Sequence, residues 1–99
     1  MDEIAALIEP HIPALRRYAW ALLRDHEAAD DLVQDCLERA VARWRLRRSD
    51  GDLKAWLFAI QHNLFIDALR RRRREGLKVE LEHAAEIAAP GQEQESSTA

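Results

Sequence analysis

Apolar side chains recur at helical spacing through the first part of the chain. Within residues 2–24 they follow an i, i+3, i+4, i+7 pattern from Leu15, which is typical of one buried helix face. Pro10 and Pro13 interrupt this segment, and proline is well tolerated only in the first turn of a helix. The pattern therefore predicts a helical segment with a break, in which residues 1–10 form a short separate turn.

The same spacing predicts two further helices. The second begins after Asp25, whose carboxylate can accept a first-turn N–H, and ends near residues 45–48. Residues 49–52 have the composition of a turn. The third helix is predicted over residues 53–75, and Gly76 is expected to stop it.

The apolar pattern weakens after Gly76. Residues 77–89 predict a weak amphipathic helix, whereas residues 90–99 are polar and acidic and are typical of a disordered tail. We therefore expect an all-α fold, a compact antiparallel three-helix bundle that gains a fourth helix if the N-terminal turn is counted. The bundle would occupy residues 1–76, and residues 77–99 would form an acidic linker or tail, partly helical or disordered.

Charge is distributed unevenly along the 99 residues, although the formal net charge is only −3. Residues 36–78 carry 12 basic and 5 acidic side chains, while the segments on either side are acidic. Such asymmetry favours a surface that binds a polyanion, joined to a second surface with another task. Solvated helix faces without a ligand would give the same counts.

No group of residues has the spacing of an enzyme active site or a metal site. Cys36 lies on the apolar stripe of the second helix, where a structural thiol is expected rather than a nucleophile. The histidines show no i, i+4 pairing, which disfavours zinc binding: His11, His26, His62 and His83. No apolar run approaches the roughly 20 residues of a membrane span, and the acidic start Met-Asp-Glu is unlike a secretion signal. We expect a cytoplasmic, non-enzymatic protein with no cofactor, no metal, no membrane insertion and no small-molecule substrate.

Two clusters of charged residues are candidates for binding surfaces. Glu27, Asp31 and Asp35 follow i, i+4, i+8 spacing, and this acidic stripe either compensates the helix dipole or docks a basic partner. Residues 70–74 are five successive arginines, which suit phosphate contacts or form a solvated helix end. Because five helical positions cover all directions, one or two of these arginines are expected to lie toward the core.

Two longer motifs resemble a known family. The segments DDLVQDCLERA (residues 30–40) and KAWLFAIQHNLFIDALRRRRR (residues 54–74) resemble region 2 of bacterial extracytoplasmic-function (ECF) RNA polymerase sigma factors. The second family pattern is filled at every position, by Trp56, Leu57, Ile60, Asn63, Ile66, Asp67, Arg70 and Arg71. The resemblance covers about residues 15–74 and is specific, because two long motifs occur in the right order.

The resemblance implies a polymerase-binding helix. In the family, the second helix docks on the clamp helices of the polymerase β′ subunit. Carried over by position, the implied contact residues are Asp30, Asp31, Leu32, Gln34, Asp35, Glu38 and Arg39. The resemblance therefore favours an interface as the role of the acidic stripe.

The resemblance also implies a DNA-binding surface on the loop before the third helix and on the polar face of that helix. This part resembles the one that recognises and opens the promoter −10 element. The implied residues are Arg45, Arg47, Arg48, Ser49, Asp50, Lys54, Gln61, His62, Asn63, Arg70 and Arg71. A loop between two helix ends can form a pocket for a non-template base, whose extrusion costs a few kcal/mol. A side chain such as Asn63 can hydrogen-bond a base edge.

Three neighbouring side chains are expected to have structural roles. Trp44 and Trp56 lie on apolar stripes, so core packing is expected rather than stacking on bases. Asp67 precedes Arg70 and Arg71 by three and four residues, so it is expected to orient them through ion pairs.

Alternative functions stay open at this point. Members of the family normally carry a second helical domain, region 4, and no segment after Gly76 resembles it. The chain is expected to be either an excised region 2 or a naturally short protein, with weak DNA binding in the absence of polymerase. It could instead be a truncated decoy that binds an anti-sigma factor, an expected partner in the family, without supporting transcription. A generic basic nucleic-acid-binding protein is a third reading.

Overall fold

The computed structural model describes residues 2–88, and this part of the chain is helical, with no β-strand. Four α-helices are joined by short connections, two of which contain a 3-10 turn. The helices are α1 (Asp2–Ile8), α2 (Ile12–Leu23), α3 (His26–Ala42) and α4 (Leu53–Ala88). The predicted all-α fold with a short N-terminal helix is confirmed.

Two local signals define the helix ends in the first part of the chain. Pro10 lies in a 3-10 turn and Pro13 in the first turn of α2, where a missing N–H has no intrahelical partner to lose. α2 ends at Leu23, and the next residue, Arg24, adopts a left-handed conformation with φ of 56°. The Asp25 carboxylate then accepts a hydrogen bond from the Glu27 N–H at 3.3 Å. The predicted break and the predicted cap are both confirmed.

α3 ends earlier than the residue spacing predicts. The backbone leaves the helical region at Arg43, and a 3-10 turn over Trp44–Leu46 follows, so the predicted end at residues 45–48 is wrong. The basic side chains there are compatible with a helix C-terminus but do not determine its last residue. Asp52 caps the start of α4, because its carboxylate accepts a hydrogen bond from the Ala55 N–H at 3.3 Å.

The core lies where α2, α3 and the first part of α4 meet. The buried apolar side chains form one cluster: Ile8, Leu15, Ala19, Ala29, Leu32, Val33, Cys36, Ala40 and Leu57. Two side-chain hydrogen bonds to backbone carbonyls cross this core. The Gln61 amide donates to the Leu15 carbonyl at 2.9 Å, and the Cys36 thiol donates to the Leu57 carbonyl at 3.4 Å. These bonds connect α4 with both of the other long helices.

α4 does not stop at Gly76. It continues to Ala88, so residues 77–88 extend the third predicted helix instead of forming a separate one. A glycine inside a helix costs about 1 kcal/mol relative to alanine. The flanking arginine, glutamate, leucine and lysine residues are good helix formers, and together they outweigh that cost. The predicted tail of residues 90–99 lies outside the described residues.

Contacts divide the chain into two units after Asp67. The first unit contains α1, α2, α3 and the beginning of α4, and the second begins at Ala68. In the second unit, all five arginines of residues 70–74 are exposed. The expectation that one or two of them lie toward the core is wrong, because the described part of this unit is a single helix. The predicted bundle boundary at residue 76 stays a prediction.

Within residues 2–88, no helix combines the length and the apolar character that crossing a membrane would require.

Candidate functional site

α3 carries the predicted polymerase-binding residues, and most of them are on the surface. The exposed ones are Asp30, Asp31, Gln34, Asp35 and Glu38. Glu27 is exposed as well, so the acidic stripe at i, i+4, i+8 spacing lies on the surface. Among the described side chains of the first unit, residues 3–67, the only ion pair joins Arg48 and Asp50, so none of these carboxylates has a cation partner there. We define this surface as the acidic face of α3.

Leu32 does not belong to the acidic face. Its side chain is only 8% exposed and packs in the core with Val33 and Cys36. Helical spacing explains the division, because Leu32 and Cys36 are four residues apart on one side, while Asp31 and Asp35 occupy another. The prediction that the Leu32 side chain contacts polymerase is therefore wrong. Arg39 is half-buried.

The loop between α3 and α4 holds a small cavity. Its volume is about 200 Å³, and its lining residues are Arg47, Arg48, Gly51, Asp52, Leu53 and Trp56. Trp44 and Trp56 meet edge to face, with ring centroids 6.0 Å apart and an interplanar angle of 76°. Both rings are half-buried and pack against the core, which confirms the predicted structural role.

Arg47 is held against an aromatic ring. Its guanidinium carbon lies 3.9 Å from the centroid of the Trp44 ring, which is close enough for a cation–π interaction. Arg48 forms an ion pair with Asp50 at 3.3 Å, but both side chains are exposed, so this pair adds little stability. The other predicted loop residues, Arg45 and Ser49, are exposed. The cavity is thus lined by two arginines, one carboxylate and one aromatic residue, together with Gly51 and Leu53.

Gln61 is not a surface residue. Its side chain is fully buried, and its amide nitrogen bonds to the Leu15 carbonyl at 2.9 Å. The prediction that Gln61 contacts DNA is therefore wrong, since the residue occupies the core face of α4. Its spacing of four residues after Leu57 is a sequence signal that could have indicated burial.

The exposed face of the first part of α4 carries Lys54, His62 and Asn63. The Lys54 ammonium lies 5.9 Å from the centroid of the Phe58 ring. His62 shares a hydrogen bond with Tyr18 of α2, with 2.9 Å between the phenol oxygen and Nδ1. Sequence reasoning missed Tyr18, because nothing in the local pattern links it to a residue 44 positions away.

In the second unit, Arg70 and Arg71 are exposed. Asp67 is the last residue of the first unit, whereas Arg70 and Arg71 belong to the second. The prediction that Asp67 orients them through ion pairs stays a prediction. Exposed pairs at this spacing gain only about 0.2–0.5 kcal/mol, which does not hold two long side chains in one geometry.

The thiol of Cys36 is unsuited to catalysis. Burial raises its pKa from an ordinary value of 9.0 to about 11, so the thiol stays protonated at neutral pH. Within the described residues, no three side chains of histidine, cysteine, aspartate or glutamate come together as a metal site.

Comparison with known proteins decides the family. Residues 8–62 match the family model described as the sigma-2 domain of PhyR, and this match spans more than half of the chain. The chain belongs to the sigma-2 domain family. The identification with region 2 of an ECF sigma factor, predicted from the two motifs, is confirmed. Sigma factors, the family of the matched relatives, are transcription initiation factors and not catalytic enzymes.

Relatives of this sigma-2 domain include two curated ECF sigma factors. The chain is 43% identical over 74 residues to the ECF RNA polymerase sigma factor EcfG of Rhodopseudomonas palustris. It is 39% identical over 72 residues to the ECF RNA polymerase sigma factor SigL of Mycobacterium tuberculosis. These matches cover 75% and 69% of the present chain, respectively.

A solved structure shares the fold. It is the co-crystal structure of the sigma factor RpoE with the anti-sigma factor NepR from Bartonella quintana. The match has a TM-score of 0.75 and 36% sequence identity, and it covers 81% of the present chain and 50% of the other. The sigma-2 domain spans 39% of the length of the curated relatives and half of the solved one.

Proposed function

We propose that this sigma-2 domain binds the β′ subunit of core RNA polymerase and engages the promoter −10 element during transcription initiation. The acidic face of α3 would bind polymerase, and the loop between α3 and α4, with the exposed face of the first part of α4, would contact DNA. The observation that carries the proposal is the acidic face itself, whose exposed carboxylates have no cation partner among the described side chains of the first unit, residues 3–67. Binding to polymerase requires the domain to act in the cytoplasm.

The charge of the acidic face supports binding to a basic partner. Like charges on successive turns of a helix repel by a few tenths of a kcal/mol per pair. The positive end of the helix dipole offsets this repulsion only near the first turn of α3, where Glu27 lies. A basic surface on polymerase would attract the same carboxylates, and this attraction would also speed the association of the two proteins by electrostatic steering.

The loop supports a role in capturing a base. Its cavity of about 200 Å³ is large enough for several water molecules, and so for part of a flat ring. The Arg47 guanidinium and the Trp56 ring line it, so a flat base would find both a cation and an aromatic neighbour. Arg48, which also lines the cavity, and Arg45 are exposed and can contact phosphates.

Charge reversal tests the polymerase interface. The double variant Asp31→Arg/Asp35→Arg replaces two exposed carboxylates on α3 and should abolish binding to purified core polymerase in a pull-down or by fluorescence anisotropy. The matched control is Glu82→Arg/Glu86→Arg, which makes the same charge change at exposed positions of the second unit. Unchanged polymerase affinity of the α3 variant, with its helicity intact, would refute the interface.

A salt titration tests the DNA surface. The polymerase complex should bind a −10 promoter fragment with an affinity that falls steeply with salt. The variant Arg45→Ala/Arg48→Ala should weaken binding on all sequences and reduce the logarithmic salt slope by about two, one for each phosphate contact. Asn63→Ala should instead change the preferred −10 sequence with little change in the salt slope. An unchanged slope in the double arginine variant would contradict the assignment of the loop.

A second function is favoured by the solved relative, in which a sigma factor is bound to the anti-sigma factor NepR. By similarity, this sigma-2 domain would bind an anti-sigma protein, either as part of a regulated sigma factor or as a decoy. In vitro transcription separates the two. A decoy would bind the anti-sigma protein but would give no transcript with core polymerase, whereas an initiation factor would give a transcript that the anti-sigma protein suppresses.

A further inference from the structure

Tyr18 and His62 form a hydrogen bond that connects α2 with the exposed face of α4. The phenol oxygen and the imidazole Nδ1 are 2.9 Å apart, which is a normal hydrogen-bond distance. Tyr18 is half-buried, whereas His62 is exposed. The bond therefore attaches a partly anchored tyrosine to a histidine that solvent and ligands can reach.

Neighbouring rings restrict the orientation of the imidazole. The His62 and Tyr18 rings are nearly parallel, with an interplanar angle of 27° and centroids 6.4 Å apart. Phe65 lies on the same part of α4, with its centroid 6.5 Å from that of His62, and Phe58 packs against Tyr18 at 5.4 Å. The adjacent residue Gln61 is fixed in the core by its bond to α2. The ring of His62 is thus held by contacts from both helices.

The chemistry of the two groups decides the direction of the hydrogen bond. A phenol is a good donor and its oxygen a poor acceptor, whereas the unprotonated nitrogen of a neutral imidazole is a good acceptor. Tyr18 therefore donates and Nδ1 of His62 accepts. A neutral imidazole that accepts at Nδ1 carries its proton on Nε2, because the partner of one ring nitrogen fixes the state of the other.

We propose that Tyr18 is a positioning residue that holds His62 in the Nε2–H tautomer, so that His62 offers a hydrogen-bond donor to an acceptor atom of promoter DNA. That acceptor is a base-edge atom, such as guanine N7 or O6, or a phosphate oxygen. The DNA part of this inference rests on the proposed function, whereas the tautomer is a property of the free chain. A hydrogen-bond donor at this position would favour bases that present an acceptor atom there over bases that present an amino group.

Nitrogen-15 NMR of the histidine side chains tests the tautomer in the free 99-residue chain. In the neutral form of its imidazole, His62 should show a protonated Nε2 and an unprotonated Nδ1. In Tyr18→Phe, which keeps the ring but removes the hydroxyl, this preference should weaken or disappear. A tyrosine that only packs against His62 would leave the tautomer populations unchanged. Equal tautomer populations in the wild-type chain would overturn the proposal whatever the DNA experiments show.

Substitutions of His62 test the donor in the polymerase complex with −10 DNA. Glutamine places its amide nitrogen close to the position of Nε2, whereas the shorter asparagine places it close to Nδ1. His62→Asn should weaken DNA binding about fivefold, which corresponds to the net free energy of one hydrogen bond. The DNA affinity of His62→Gln should stay within about twofold of the wild-type affinity. Equal binding by wild type and His62→Asn would overturn the DNA contact.

A double-mutant cycle tests whether Tyr18 acts through His62. Tyr18→Phe should weaken DNA binding two- to fivefold in the wild-type background and have no effect in the His62→Asn background. Additive effects would overturn the positioning role. DNA with an abasic position or with a methylphosphonate linkage then distinguishes the acceptor, because the His62 dependence should vanish with the group that accepts the hydrogen bond. If DNA binding still depends on His62 in both series, the proposal is overturned.

If the wild-type complex binds no −10 DNA at all, the proposed function fails. The NMR measurement still decides whether Tyr18 sets the tautomer of His62.

Discussion

Replacing Gln61 with methionine should leave the fold as stable as before or make it more stable. Gln61 is the one buried polar residue of the described part, and its amide nitrogen bonds to the Leu15 carbonyl at 2.9 Å. Its other amide atom, Oε1, is buried and has no hydrogen-bond partner among the described residues. Methionine has a similar length and shape and carries no strongly polar atom.

The magnitude follows from these two amide atoms. Losing the bond to Leu15 costs about 1 kcal/mol, and removing an unpaired buried oxygen restores about 1–3 kcal/mol. Gln61→Met should therefore leave the free energy of unfolding unchanged or raise it by up to about 2 kcal/mol. Gln61→Ala removes the same bond but leaves a cavity, so it should lower the free energy of unfolding by about 2–4 kcal/mol.

Urea and thermal unfolding followed by circular dichroism measure both effects. For a domain of this size, the alanine variant should lower Tm by roughly 8–32 °C, given about 4–8 °C per kcal/mol. Gln34→Met is the matched control, the same substitution at an exposed helix position, and should change stability by less than about 0.5 kcal/mol. If Gln61→Met is as destabilising as Gln61→Ala, the reasoning is refuted, because the bond to Leu15 would then be worth several kcal/mol. Gln61→Met should also leave −10 DNA affinity unchanged, since the residue does not reach the surface.

Three other predictions concern the thiol, a helix cap and the loop. Cys36 has its pKa raised from 9.0 to about 11, so its contribution to stability is fully present below pH 9 and is lost as the pH rises through 11. Unfolding titrations should show this loss in wild type relative to Cys36→Ala, and a thiol reagent at neutral pH should react only as fast as the chain unfolds. Asp25→Ala removes the cap of α3 and should lower the free energy of unfolding by about 1 kcal/mol in urea denaturation, whereas Asp25→Asn should restore most of it. Arg47→Leu should weaken −10 DNA binding in the polymerase complex more than Arg43→Leu does, because Arg47 lines the loop cavity and Arg43 does not. Equal losses would mean that the cavity is not used.

The sequence alone determined the family and where α3 and α4 begin, but not where these two helices end. Local signals place the break near Pro10 and the start of α3 at Asp25, because proline and an aspartate cap act within a few residues of their own position. Helical spacing likewise predicted the exposed stripe of Asp31 and Asp35. Motif order then identified the sigma-2 domain, a prediction that the family match confirms.

Only the tertiary structure decided which neighbouring residues on α4 face the core and which face solvent. Gln61 and His62 are adjacent in the chain, yet one bonds to Leu15 inside the fold and the other to Tyr18 at the surface. Both partners lie more than 40 residues away on α2, at separations of 46 and 44 positions. Periodicity tells which side of a helix is apolar, but the register between two packed helices depends on how the whole core fits together. For that reason the sequence predicted the surfaces, and packing decided which polar side chains belong to them.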